Sequence, residues 1–155
     1  METNEKLVEV LNDLIEINND RIVGYEKAVN ELSDTDADLK AVFTSMAGES
    51  RKYASELATE VTKLGGEVAE GTTNLGHIYR AWMSIKQTFT GTDRHSVLES
   101  CEGGEDAAQK AYREALASDA EIPADIRQLI TDQKASLKNS HDQIKAYRDA
   151  HETVS

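Results

Sequence analysis

Four long stretches of this chain repeat apolar residues at intervals of three and four, the spacing of a helix that buries one face. The first, about residues 4–32, carries Leu7, Leu11, Leu14, Ile22, Tyr25, Val29 and Leu32, with Asn18 in the gap. The second, about 35–64, carries Leu39, Phe43, Met46, Tyr53, Leu57, Val61 and Leu64. The third, about 93–118, presents Leu98, Cys101, Ala108, Tyr112 and Ala115. The fourth, about 123–150, presents Ile126, Ile130, Gln133, Leu137, Ile144 and Tyr147. Stripes of this length have to bury one another, so the predicted fold is all-α, an antiparallel four-helix bundle in one domain spanning residues 1–155.

Breaks between the stripes carry their own signals. Ser33-Asp34-Thr35-Asp36 offers capping oxygens to the second helix, Gly65-Gly66 supplies a left-handed stop, and Pro123 suits a first turn. Residues 67–73 read as loop, whereas Ile78, Trp82, Ile85 and Phe89 place a short amphipathic helix over about 75–90, closed by Gly91 and the cap Thr92. At ~1.5 Å per residue that helix is ~24 Å long, enough to carry the chain from one end of the bundle to the other. The second and third helices then run parallel, as in ferritin-like bundles with one long crossover. An internal echo lays NNDRIVGYEKAV (18–29) on EDAAQKAYREAL (105–116), with Tyr25 on Tyr112 and Asn18 on Glu105, and hints at a duplicated helical pair.

Composition narrows the functional classes. One proline and 5% aromatic residues suit long helices, and a net charge of −12 disfavours phosphate backbones and anionic lipid, so neither nucleic acid nor membrane is expected as a partner. A single cysteine forms no internal disulfide, and the N-terminal METNEKLVEV lacks a basic and an apolar leader region. The expectation is a soluble, cytoplasmic protein.

Each stripe is interrupted by polar residues near its middle: Asn18, the pair Glu49 and Ser50, Glu105 and His141. In ferritin-like topology Asn18, Ser50, Glu105 and His141 lie roughly 14, 15, 13 and 18 residues from the lower end, a spread of ~7 Å along the axis. Mid-core polar layers are where four-helix bundles build metal and ligand sites. Glu105 and His141 are accordingly the first-choice ligands for a divalent cation, with Glu102, Asp106 and Glu49 in reserve. The same residues also fit a hydrogen-bonded layer that only fixes helix register. A di-iron centre demands Glu-x-x-His pairs, and here the residues three before His77, His95, His141 and His151 are Asn74, Thr92, Lys138 and Arg148. Asp142 is expected to pair with Lys138 or Lys145, Glu26 to be solvated or ion-paired, and Cys101 to be a buried, inert thiol. No nucleophile, base and oxyanion arrangement is visible.

LNDLIEINNDRIVGYEKA (11–28), LKAVFTSMAGESRKYASELATEVTKLGG (39–66), RAWMSIKQTFTGTDR (80–94), LESCEGGEDAAQKAY (98–112) and LKNSHDQIKAYRDA (137–150) resemble an uncharacterised bacterial four-helix-bundle family. That family is placed in the ferritin-like superfamily, beside rubrerythrin-type and stress-induced bundle proteins. The resemblance covers nearly the whole chain. It implies the fold, binding of iron, manganese, zinc or copper, a stress setting and pairing of copies along their helices as a homodimer. The metal motif departs from the pattern: Glu49 stands where the second helix has its Glu, but Lys52 replaces the His three positions on, and Lys138 stands where the Glu partner of His141 belongs. The expected function is a non-catalytic, stress-associated bundle holding a divalent ion or a small partner in its polar layer. The alternatives are a structural or protein-interaction module without metal, and an iron or manganese oxidase or peroxidase.

Overall fold

The computed structural model describes residues 2–32, 34–71 and 94–154, so the helix expected at 75–90, with His77 and Trp82, lies outside the described residues. The described chain forms α1 (Glu2–Glu31), a 3-10 turn (Asp34–Asp36), α2 (Ala37–Lys63), α3 (Arg94–Leu116) and α4 (Ala124–Val154). Leu7, Leu11, Leu14 and Tyr25 of α1 meet Leu39, Phe43, Leu57 and Val61 of α2 in one core, which Leu98, Cys101 and Tyr112 of α3 and Ile126, Ile130, Leu137 and Ile144 of α4 complete. Tyr25 and Phe43 pack ring against ring with centroids 5.3 Å apart. Ile22 and Val29 are only half-buried, and Arg21 and Ala28 take the inward positions beside them. None of the described helices is long and apolar enough to cross a membrane.

Polar contacts between helices give their directions. Arg94, at the start of α3, binds Asp36 (2.9 Å) and Asp38 (2.8 Å) at the start of α2, so these two helices run parallel. Lys6 near the start of α1 reaches Asp119, just beyond the end of α3 (2.6 Å). Arg148 pairs with Glu102, and α4 therefore returns antiparallel to α3. The chain leaving α2 turns back along α1: Asn12 donates to the Glu67 carbonyl (2.8 Å) and accepts from the Ala69 amide (2.9 Å), and Asn19 donates to the Gly71 carbonyl (2.9 Å). Parallel α2 and α3 with a connection starting up the side of α1 is the one-crossover topology expected from the sequence.

Of the cluster expected to offer capping oxygens, Asp36 stands at the cap position of α2, and its side chain makes no capping hydrogen bond. The carboxylate faces the Arg94 guanidinium instead, where both partners carry charge. At the other end of α2, Gly65 adopts φ +80°. Its amide donates to the Thr62 carbonyl (3.0 Å) and the Gly66 amide to that of Val61 (3.0 Å), a Schellman stop. Gly66 is needed for space: a Cβ there would lie 2.7 and 2.8 Å from the two methyls of Val8. Gly66→Ala is therefore expected to lower stability by about 1–3 kcal/mol in urea unfolding, and Val8→Ala in the same chain to relieve part of the loss. Strictly additive losses would refute the close approach.

The Arg94 clasp generates a second expectation. Its hydrogen bonds, foremost among the causes, hold the Asp38 carboxyl at about 2 against an ordinary 3.8. A depressed carboxyl stabilises the fold above its ordinary value, and that stabilisation is lost as pH falls through about 2. A carboxyl-carbon NMR titration should place the Asp38 midpoint near the lower value, and Arg94→Gln should return it to the ordinary one. An ordinary midpoint in the unsubstituted protein would mean that the clasp does not form in solution.

Candidate functional site

The mid-bundle layer is built around Arg21. Leu14, Asn18, Arg21 and Tyr25 follow one another at intervals of four, three and four along α1, so the helix places all four on its buried seam. The Arg21 side chain is 0% exposed and that of Glu105 on α3 is 1% exposed. The two are joined by a bidentate fork, Nε to Oε1 at 2.7 Å and Nη2 to Oε2 at 2.9 Å. Nη1 donates to Ser50 Oγ (2.5 Å) and to Glu49 Oε1 (3.3 Å), both from α2. The guanidinium carbon lies 5.3 Å from the centroid of the Tyr25 ring, a cation–π distance. Burial works against the charge on Arg21, but Glu105 outweighs it and keeps the group protonated above the ordinary arginine range.

From Arg21 a single line of donors crosses the core. Ser50 Oγ donates to Asn18 Oδ1 (2.9 Å), and Asn18 Nδ2 to Tyr112 Oη (2.8 Å). Tyr112 Oη donates to Gln133 Oε1 (2.7 Å), and Gln133 Nε2 to Glu56 Oε1 (3.1 Å). Glu49 receives Ser140 Oγ of α4 (2.9 Å) and Tyr53 Oη (3.2 Å) besides Arg21. It lies at a groove of about 350 Å3 between α2 and α4 that Val42, Met46 and Gln143 help to line. Burial raises the Tyr25 and Tyr112 phenols, with the charge of Glu105 adding to the rise at Tyr25. Cys101 is fully buried, and its thiol is pushed well up by burial and then by Glu105, which makes it inert.

Of the residues singled out in the sequence, Asn18, Glu49, Ser50 and Glu105 do come together. His141 does not join them. Its ring is 20% exposed on the seam between α3 and α4, with Nε2 2.7 Å from Asp106 and Nδ1 3.1 Å from Asp142. Ser140 holds the inward position, because one residue along a helix is a rotation of about 100°. Glu102 is taken by Arg148, Glu26 by Arg51, and Asp142 also by Lys138 (2.9 Å). Arg21 is the residue the sequence reading missed. The signal is the strict alternation of intervals from Leu14 to Tyr25, which lands on Arg21, although the apolar Ile22 beside it fits the stripe by composition.

Both oxygens of Glu105 are committed to a guanidinium, so the residues present do not fit a metal ion between Glu105 and His141. Among the described residues no group of three or more His, Cys, Asp or Glu side chains could hold one. His141 offers Nε2 beside Asp106, but Asp142 faces the opposite ring nitrogen, and one ion cannot be reached from both. Removing one partner of a buried pair strands the other charge, so Glu105→Ala should cost about 3–5 kcal/mol. The double change Arg21→Met/Glu105→Leu should recover most of that loss in denaturant unfolding. A single-variant loss of less than ~1 kcal/mol, the range of exposed ion pairs, would contradict a buried pair.

None of the curated proteins matches the chain in sequence. A solved structure of a Dps1 point mutant from Mycobacterium smegmatis superposes with a TM-score of 0.77, covering 95% of this chain and 97% of that one at 12% identity. At that identity the likeness shows the fold alone, a ferritin-like four-helix bundle. A family model described as a domain of unknown function, DUF2383, matches residues 6–118. With that match spanning α1, α2 and α3, the chain belongs to the DUF2383 family, built on a ferritin-like bundle.

Proposed function

We propose that this protein is a non-catalytic helical module of ferritin-like fold, doing structural or protein-interaction work through its surface. In this reading its polar layer fixes the interior and holds no metal ion. The observation that carries the reading is the fully buried Arg21, which gives Glu105 two hydrogen bonds and Ser50 and Glu49 one each, so the layer already contains its cation. The metal-binding alternative is left with His141 and Asp106 on an open seam, short of the three or four protein ligands that zinc sites use. A net charge of −12 supports work with partners other than nucleic acids or anionic membranes. The resemblance to stress-induced bundle proteins supports a stress setting for the module.

Elemental analysis of untagged protein grown with added iron, manganese, zinc and copper tests the proposal. The expected result is no stoichiometric metal, with a melting temperature unchanged by chelator or by added divalent ions. Near-stoichiometric metal that disappears in Glu105→Ala/His141→Ala would overturn the proposal and return the layer to metal chemistry.

A further inference from the structure

We infer that the space filled by the Arg21 head group is a guanidinium-selective cation site, and that an alkylguanidinium is the ligand class it takes when the side chain is removed. The inference rests on the reading above, that the cation of the layer is an arginine and no metal. Acceptors ring the head group as a planar fork requires. Glu105 presents two oxygens side by side to Nε and Nη2, at 2.7 and 2.9 Å. Ser50 and Glu49 take the remaining amino group, and the Tyr25 ring lies near the guanidinium carbon. An ammonium has three donors on one point and cannot span this set, whereas a guanidinium meets a carboxylate with two parallel bonds.

A divalent ion is served worse. Its ligands must converge on one point at about 2.0–2.2 Å, and the acceptors here are spread around a flat group several atoms wide. They include two carboxylates, one hydroxyl and no imidazole or thiolate. The demand for a replacement cation is strong, because Glu105 without Arg21 is a carboxylate 1% exposed. Glu49, 25% exposed beside the groove between α2 and α4, marks a way in from solvent.

Arg21→Ala removes ethylguanidinium atom for atom, so that ion is the probe. Thermal melts of Arg21→Ala should shift upward and saturate with ethylguanidinium in the millimolar range, far below the molar concentrations at which guanidinium denatures. At ten times its dissociation constant the folded-to-unfolded ratio should rise about elevenfold. The unsubstituted protein, and Arg21→Ala/Glu105→Ala, should not respond. Ethylammonium, Mn2+ and Zn2+ at matched concentration should leave Arg21→Ala unchanged. If Arg21→Ala is unfolded in buffer, recovery of its helical circular dichroism on adding ethylguanidinium supports the site and absence of recovery overturns it. A larger response to Mn2+ or Zn2+, or an equal response in the Glu105→Ala double variant, also overturns it. Failure of rescue while the unsubstituted protein stays metal-free removes the guanidinium site and leaves the proposed function standing.

Discussion

The structure depends on one buried ion pair. Taking a guanidinium and a carboxylate out of water costs several kcal/mol per ion even after relaxation, and their attraction offsets this only with near-ideal geometry and further hydrogen bonds. Arg21 has both: a bidentate fork to Glu105, two acceptors on α2 and an aromatic face. Those partners sit on three helices. A slip of one residue moves a side chain ~1.5 Å along the axis and about 100° around it, which would strand the charge. Leucine and isoleucine stripes tolerate such slips far better. The pair therefore sets the register of α1 against α2 and α3, and the apolar side chains fill the space that register defines.

The rest of the layer extends this constraint to α4. From Arg21 through Ser50, Asn18, Tyr112 and Gln133 to Glu56, every donor points the same way, from a cation to a carboxylate, so each bond polarises the next. The clasps at the bundle ends act differently. Lys6 and Asp119 are both largely exposed, and pairs of that kind contribute about 0–1 kcal/mol. They agree with the topology without enforcing it. Specificity is thus concentrated at mid-height, where the side chains are buried and a polar group has few alternatives.

How far the sequence reveals this follows from the same physics. The four long helices among the described residues and their one-crossover topology are legible because spacing, a glycine pair and connection length are local or nearly local signals. The glycine stop after Leu64 and the inward Gln133 are legible on the same grounds. The polar layer is legible as a set of interruptions, but its content is not. A buried arginine looks like a surface residue until its partners are known, and Glu105 looks like a ligand until Arg21 is seen against it. His141 and Ser140 differ by one position, and the choice between them depends on helix rotation, which the apolar pattern fixes only to within a residue. The echo between 18–29 and 105–116 gains support from contacts it could not itself foresee. Asn18 meets Tyr112, and Tyr25 feels the charge of Glu105, so the two aligned pairs exchange partners across α1 and α3.

An arginine at this position also changes what the interior can do. A bound metal can exchange with its surroundings and respond to chelators, and iron, manganese or copper can also change oxidation state. A guanidinium tethered to α1 does none of these, because it cannot leave the chain and has no redox chemistry. Its neighbours reinforce the restriction: the Cys101 thiol is buried and held protonated, and the Tyr25 and Tyr112 phenols are raised above their ordinary range. With both Glu105 oxygens taken by Arg21 and the Cys101 thiol buried, the partner-binding work proposed above falls to the outer faces of the helices. Within a ferritin-like frame, the centre of this chain is filled by a cation of its own, the Arg21 guanidinium held by Glu105.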